Sequence, residues 1–298
     1  MNFESRDLTP QMFEAQVREL AHRGYQAIGL EDLRAFYQEN KPLPRKALLL
    51  TFEQTRKSSY FETRSILKDL KWRAVMGIWT RPMESGDAQV LLWPYLQDMR
   101  MLGTWDFALE SHSGFDLIPA GPNGETGPFF STPMWLKGQY RFETPSEFEH
   151  RLAEDHKSVI NVFRRELNIK PIAFFFPYGD YGQYNEQARV IREANLRQVA
   201  TNYLFGFTLG NLALNTRHSD VKRLNRLLVD KNWSPKDLAD RLDAFLPGKD
   251  GKVKTVRDFT AGSWVREWGG VSIEPGGELA LRAIPPENPL DKKELITA

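Results

Sequence analysis

The 298-residue chain contains no cysteine. Disulfides, thiolate metal ligands and cysteine nucleophiles are excluded together. Histidine is scarce too: there are five, so a histidine-based site has few positions to draw on. No charge of one sign dominates, since 40 Lys and Arg face 39 Asp and Glu and the formal net charge is +1. That balance supplies no long-range field for nucleic acid or an anionic membrane, and it fits a neutral partner such as a glycan. No hydrophobic run approaches the ~18 residues of a membrane span, and the opening MNFESRDLTP lacks the core of a secretory leader. Met1 therefore fits either a native cytoplasmic start or a chain whose leader or upstream domain has been cut away.

What is present points to one large α/β domain. The 41% hydrophobic and 12% aromatic fractions are enough for a buried core. Phe13, Val17, Leu20 and Ala21 recur at helical spacing and predict a helix over 9–25, closed by Arg23-Gly24. Further helices are predicted over 31–39, 59–70, 93–102, 144–167 and 186–194. The helix from 144 has Thr144 or Ser146 as its cap. The apolar run 47–52 predicts a strand buried on both faces, with others over 74–80, 107–110 and 172–176. This alternation implies a parallel sheet wrapped by helices, barrel-like or doubly wound. Residues 114–138, rich in Gly, Pro and Ser, read as a long functional loop. From Gly248 the pattern changes to β-type residues between Gly and Pro turns. The boundary is therefore drawn between a main domain, 1–247, and a β-rich C-terminal element, 248–298.

Four polar clusters fall at C-terminal ends of predicted strands, where parallel α/β folds build their sites. They are Thr51-Phe52-Glu53-Gln54-Thr55, then Glu110-Ser111-His112-Ser113-Gly114-Phe115-Asp116, then Phe175-Phe176-Pro177-Tyr178-Gly179-Asp180, and the run from Arg223 to Leu228 containing Arg226. His22, His150, His156 and His218 fall on predicted helices or loops and read as surface residues. Trp79, Trp93 and Trp105 read as core or cleft wall.

In order and placement these clusters resemble the motifs of the polysaccharide-deacetylase (NodB-homology) family, closest to the branch that deacetylates poly-N-acetylglucosamine in biofilm matrices. The likeness runs from about Thr9 to about Val229. It implies a distorted (β/α) barrel with a small β-rich C-terminal appendage. It also implies an extracytoplasmic or periplasmic setting and a polysaccharide partner containing N-acetylglucosamine.

In the family, motif one reads Thr-Phe-Asp-Asp-Gly, its first Asp the general base and its second a metal ligand. Those positions are Glu53 and Gln54 here, followed by Thr55. The resemblance puts the first metal-ligating His at His112, but the second falls on Asp116. Tyr178 would supply the backbone amide that stabilises the oxyanion, and Arg226 would orient the carboxylate of Glu53. Trp135, Phe175, Pro177 and Tyr178 are the residues expected to contact glycan, with Trp264 and Trp268 as further stacking candidates.

The family reaction attacks an amide with water that the metal has acidified, and a carboxylate takes the proton. An amide in place of a ligand Asp removes charge that a dication needs, and the longer Glu53 shifts the base by about a bond length, a misplacement that costs on the order of a hundredfold. Three readings follow. The leading one is a catalytically impaired, glycan-binding domain that acts in synthesis, modification or export of an extracellular polysaccharide. The second is an active N- or O-deacetylase with Glu53, His112 and Asp116 holding Zn²⁺, Ni²⁺, Co²⁺ or Mn²⁺ and Gln54 assisting. In that case the remaining bases would be Asp180 or Asp106. The third is an interaction scaffold in a polysaccharide secretion complex. No nucleic acid partner or transmembrane segment is expected.

Overall fold

Thr9 opens the first helix as its sequence predicts, its Oγ1 accepting from Met12 N at 3.2 Å. The structure, a computed structural model, describes residues 8–183, 189–210 and 214–246, together with the strand segments 270–273 and 279–282. It divides into two units, Met1–Lys236 and Asp237–Ala298.

The first unit begins with α1 (Pro10–His22), β1 (Gln26–Ala27) and α2 (Leu30–Gln38), then β2 (Ala47–Leu48) and β3 (Thr51–Phe52). Helices α3 (Lys57–Phe61) and α4 (Arg64–Leu70) lead to β4 (Ala74–Trp79), and α5 (Thr80–Glu84) and α6 (Trp93–Leu102) lead to β5 (Trp105–Ser111). Two small hairpins follow, β6 (Leu117–Pro119) with β7 (Thr126–Pro128), and β8 (Trp135–Leu136) with β9 (Arg141–Phe142). The long helix α7 (Pro145–Leu167), β10 (Ala173–Phe175), α8 (Arg189–Asn202) and β11 (Phe205–Phe207) complete the βα alternation before α9 (Pro235–Ala244). In the second unit, β12 (Gly270–Ile273) and β13 (Leu279–Arg282) pair as an antiparallel hairpin. Trp264 and Trp268 lie outside the described residues.

Five strands form one parallel sheet in the order β11-β10-β5-β4-β3. The sheet is curled into a half-barrel. Its inner face follows from strand alternation: Val75, Ala108, Ala173, Phe175, Phe205 and Phe207 join Leu224, Ile28, Leu30 and Leu33 in one buried cluster. The outer face packs on helices, with Phe107 meeting Phe163 of α7 at 6.3 Å between ring centres.

Several expectations change. The run 47–52 is two short strands, half-buried rather than buried on both faces. Among the described residues β2 pairs with β1 alone and β3 is the edge of the main sheet, so neither is enclosed. The helix predicted over 59–70 is broken between Phe61 and Arg64. The 114–138 loop carries the β6–β7 hairpin and ends in β8. His156 is fully buried, not a surface residue. It lies on the apolar stripe of α7 beside Leu152, Val159 and Phe163, with its Nδ1 3.0 Å from Tyr203 Oη and its ring against Phe174. Burial lowers its pKa to about 3.

Candidate polysaccharide-binding site

The sheet's curl brings its two edges together at the C-terminal end of the strands. Beyond β11, residues 224–227 run alongside as a sixth line, with bridges Phe207↔Leu224 and Gly210↔Leu227. Arg226 N donates to Thr208 O at 3.1 Å, which fixes the backbone that carries the guanidinium inward. Arg226 Nη2 then lies 2.7 Å from Oε1 of Glu53, which follows β3 at the opposite edge. The pairing that the resemblance implies is present. It is an ion pair without hydrogen-bond geometry, for among the described residues the buried Nε and Nη2 of Arg226 have no hydrogen-bond partner. The guanidinium also stacks 4.0 Å over the Phe175 ring. Phe175 is itself fully buried and Pro177 is buried, so neither is open to a glycan. Phe175 is instead the floor under Arg226, and Pro177 is part of the turn that presents Tyr178.

A second carboxyl lies on the same inner face. Glu110, in β5, is 1% exposed, and Gln54 N donates to its two oxygens at 3.0 and 3.2 Å. Its berth exists because Gly77 on β4 has no side chain: a Cβ there would meet Glu110 Oε1 at 2.5 Å. Burial, and then the neighbouring Glu53 carboxylate, hold the Glu110 carboxyl well above the ordinary carboxylate range, while Arg226 and the Gln54 N–H oppose them. In the sequence Glu110 belongs to a polar cluster but carries no role there. The signal was its inward register, two residues beyond Ala108 on a buried strand.

The motif-one turn is strained. Gln54 and Thr55 both have left-handed backbones, φ +60° and +54°. For a β-branched residue that conformation costs about 1–2 kcal/mol. Hydrogen bonds hold it: Thr55 N donates to Gly77 O at 2.9 Å and Thr55 Oγ1 accepts from Trp79 N at 2.8 Å.

The residues after β4 fasten motif two. Thr80 Oγ1 lies 3.0 Å from His112 Nδ1, and Trp79 Nε1 donates to His112 O at 3.0 Å. Arg81 pairs with the carboxylate of Asp116 and donates to Ser113 Oγ at 2.8 Å. From below, Asp155 of α7 accepts from Ser113 N at 2.7 Å and His112 N at 3.2 Å. Burial raises the Asp155 pKa against those two N–H donors. Arg81, Thr80 and Asp155 had no signal in the sequence, because each acts on a partner in another motif or element.

Tyr178 stands at the rim with φ +58° and 49% exposure, its hydroxyl donating to Phe115 O at 2.9 Å. Burial, and then the Asp116 carboxylate, raise its pKa. Trp79, Phe115 and Tyr178 form a run of rings with centres 4.7 and 5.2 Å apart. Gly179 beyond it is required by space, since a Cβ would meet Leu209 N at 2.5 Å. Trp135 sits on the β8–β9 hairpin with Tyr140 and Phe142, ring centres 6.5 and 5.1 Å away, and Tyr140 is 82% exposed.

No family model matches the chain. It is similar to the poly-beta-1,6-N-acetyl-D-glucosamine N-deacetylase of Escherichia coli O157:H7, 27% identical over 241 residues, and equally to that of strain K12. The match covers 75% of this chain and 34% of each relative, so the chain spans about a third of their length. Among solved structures it is similar to a de-N-acetylase from Aggregatibacter actinomycetemcomitans, with a TM-score of 0.67 at 19% identity over 78% of this chain and 88% of that one. It is also similar to the BpsB deacetylase domain from Bordetella bronchiseptica, with a TM-score of 0.62 at 20% identity over 77% and 87%. By sequence and fold, the likeness is to polysaccharide deacetylases of the poly-N-acetylglucosamine branch.

Against that family's metal chemistry, the residues at this sheet edge do not fit a dication. Gln54 is uncharged, the Asp116 carboxylate is taken by Arg81, and Glu53 lies on Arg226. Among the described residues, no three His, Asp or Glu are grouped as ligands would be. The Glu53–His112–Asp116 triad is thus not gathered, because each of its carboxylates faces an arginine. Of the reserve bases, Asp106 pairs with Arg73 and accepts from Leu30 N at the start of β5, and Asp180 accepts from Ser131 Oγ and Gly182 N.

Proposed function

We propose that this chain is a polysaccharide-deacetylase-like domain that binds a poly-N-acetylglucosamine-type glycan and is impaired in hydrolysis. Its setting is the modification or export of an extracellular polysaccharide outside the cytoplasm, beside the proteins of a secretion complex. The observation that carries the reading is the Arg81–Asp116 pair, together with the uncharged Gln54 at the motif-one position. A fixed cation already neutralises the carboxylate that a metal would need. Substrate class comes from the curated relatives, which are described as poly-beta-1,6-N-acetyl-D-glucosamine N-deacetylases. The exposed rings of Tyr178 and of the Trp135–Tyr140 hairpin are suited to stack on sugar faces.

Metal analysis of the purified protein with Zn²⁺ titration calorimetry, alongside glycan titration, tests this. Glycan binding that weakens in Tyr178→Ala, with no stoichiometric Zn²⁺ uptake, is the expected result. A tight Zn²⁺ site that disappears in His112→Ala would move the reading to an active enzyme.

That second reading has one observation in its favour: Arg226 holds Glu53 as a base-orienting arginine would. It predicts chelator-sensitive release of acetate from acetylated oligosaccharides.

A further inference from the structure

The Arg81 guanidinium is fixed yet open. Its side chain is 46% exposed, and among the described residues its hydrogen bonds are those to Asp116 and to Ser113 Oγ. A guanidinium carries five N–H donors in a planar fork, so donors remain beside the Asp116 carboxylate. The pair as a whole is neutral. A free anion approaching Arg81 meets Asp116, and a free cation approaching Asp116 meets Arg81. What the two side chains offer together is a hydrogen-bond donor next to an acceptor. An acetamido group is the complement, with a carbonyl that accepts and an N–H that donates.

The surroundings suit the rest of such a group. Phe115 immediately precedes Asp116, and Trp79 lies two residues before Arg81. Their rings and that of Tyr178 form the run of 4.7 and 5.2 Å spacings described above. Tyr178 is half-exposed, with its hydroxyl already committed to Phe115 O, so it offers chiefly its ring face. Such rings take the methyl of an acetyl group or the C–H face of a pyranose.

We propose that the Arg81–Asp116 pair reads the acetamido group of an N-acetylated amino sugar, the guanidinium donating to its carbonyl and the carboxylate accepting from its N–H. The inference rests on the glycan-binding reading above and adds which group of the glycan is recognised. A free amino sugar lacks the carbonyl and brings a positive charge toward Arg81. The site therefore prefers glycan that still carries its acetyl groups.

The test is titration calorimetry with a β-1,6-linked N-acetylglucosamine trisaccharide and with its free-amine counterpart, on wild type, Arg81→Gln and Arg81→Lys. Thermal melts check folding. Wild type is expected to favour the acetylated trisaccharide by about tenfold or more, the worth of one charge-assisted hydrogen bond. Both variants are expected to lose that preference. Arg81→Gln keeps a donor for Asp116 without the charge, and Arg81→Lys keeps the charge without the fork. If Arg81→Gln does not fold, Arg81→Lys decides. Undiminished acetyl preference in a folded variant would overturn the inference while leaving glycan binding intact. Wild type that binds neither trisaccharide would remove the glycan-binding reading and this inference with it.

Discussion

Arg226 and Glu53 sit at opposite edges of a five-stranded sheet, and their charged groups are 2.7 Å apart. The contact records the curl of the sheet more directly than any strand pairing. It also closes the mouth of the barrel interior, because Arg226 lies flat on Phe175 and is itself 7% exposed.

Removing the arginine should therefore cost the fold as well as the site. Arg226→Ala leaves Glu53 facing the raised carboxyl of Glu110 and opens space above Phe175. Breaking a buried pair costs about 3–5 kcal/mol, and the 29% exposure of Glu53 reduces this to roughly 2–3 kcal/mol. Urea unfolding at neutral pH measures it. A loss of a few tenths of a kcal/mol would mean that the pair contributes nothing to closure.

Glu110 makes a prediction of the opposite sign. A carboxyl whose folded pKa is raised binds its proton more readily in the native state, so its contribution to stability falls as pH rises above the ordinary carboxylate range. Glu110→Gln keeps an acceptor for Gln54 N and removes the ionisation. The variant should match or exceed wild type at pH 8 and gain least near pH 5, as read from melting temperatures across that range. A variant that is less stable than wild type at pH 8 would show that the carboxylate form is the one the fold uses.

His156 sets the acid limit. Its pKa is lowered to about 3 in the folded protein, whereas the unfolded chain takes up the proton near 6.5. Native stability therefore declines as pH falls from about 6.5 towards 3, by about 1.4 kcal/mol per pH unit from this group. His156→Gln still offers Tyr203 a hydrogen-bond partner and should flatten the acid limb. Denaturant midpoints at pH 4 and pH 7 compare the two proteins, and parallel curves would refute the assignment.

Restoring a metal site should need more than a ligand. Gln54→Asp alone leaves Asp116 on Arg81 and should give no Zn²⁺ heat. Combining Gln54→Asp and Asp116→His with Arg81→Ala supplies an acid and two imidazoles with no cation beside them. Calorimetric uptake of one Zn²⁺ by the triple variant, and none by the single one, is the expected contrast. Uptake by Gln54→Asp alone would show that Arg81 does not bar a metal.

Much of the fold was legible because local signals agree with it. Thr144 caps α7 with Glu147 reciprocating, the buried strand over residues 172–176 appears as β10, and three of the four polar clusters fall at the ends of β3, β5 and β10, while the fourth, around Arg226, follows no strand and runs alongside β11 instead. The misreadings have physical causes. Residues 47–52 carry the composition of a central strand, but nothing in that composition says that β3 closes an edge. His156 lies on the buried stripe of α7, where the Tyr203 hydroxyl just beyond α8 meets its Nδ1. Phe175 is expected to contact glycan, yet strand alternation turns it inward, beneath an arginine supplied by another segment. Arg81 went unnoticed because its meaning depends on Asp116, and the two meet only when β4 and β5 lie side by side.

The bare backbone at Gly77 ties two strands into a single unit of variation. Glu110 occupies the volume that any side chain there would fill, and Glu110 in turn holds the Gln54 N–H that shapes the first turn of the groove. Even an alanine at 77 would push the acid out, release that turn and reshape the groove mouth without altering any residue on the groove's surface. Tolerance at 77 should thus depend on what stands at 110: a larger residue becomes acceptable on β4 only once β5 has given up its carboxyl.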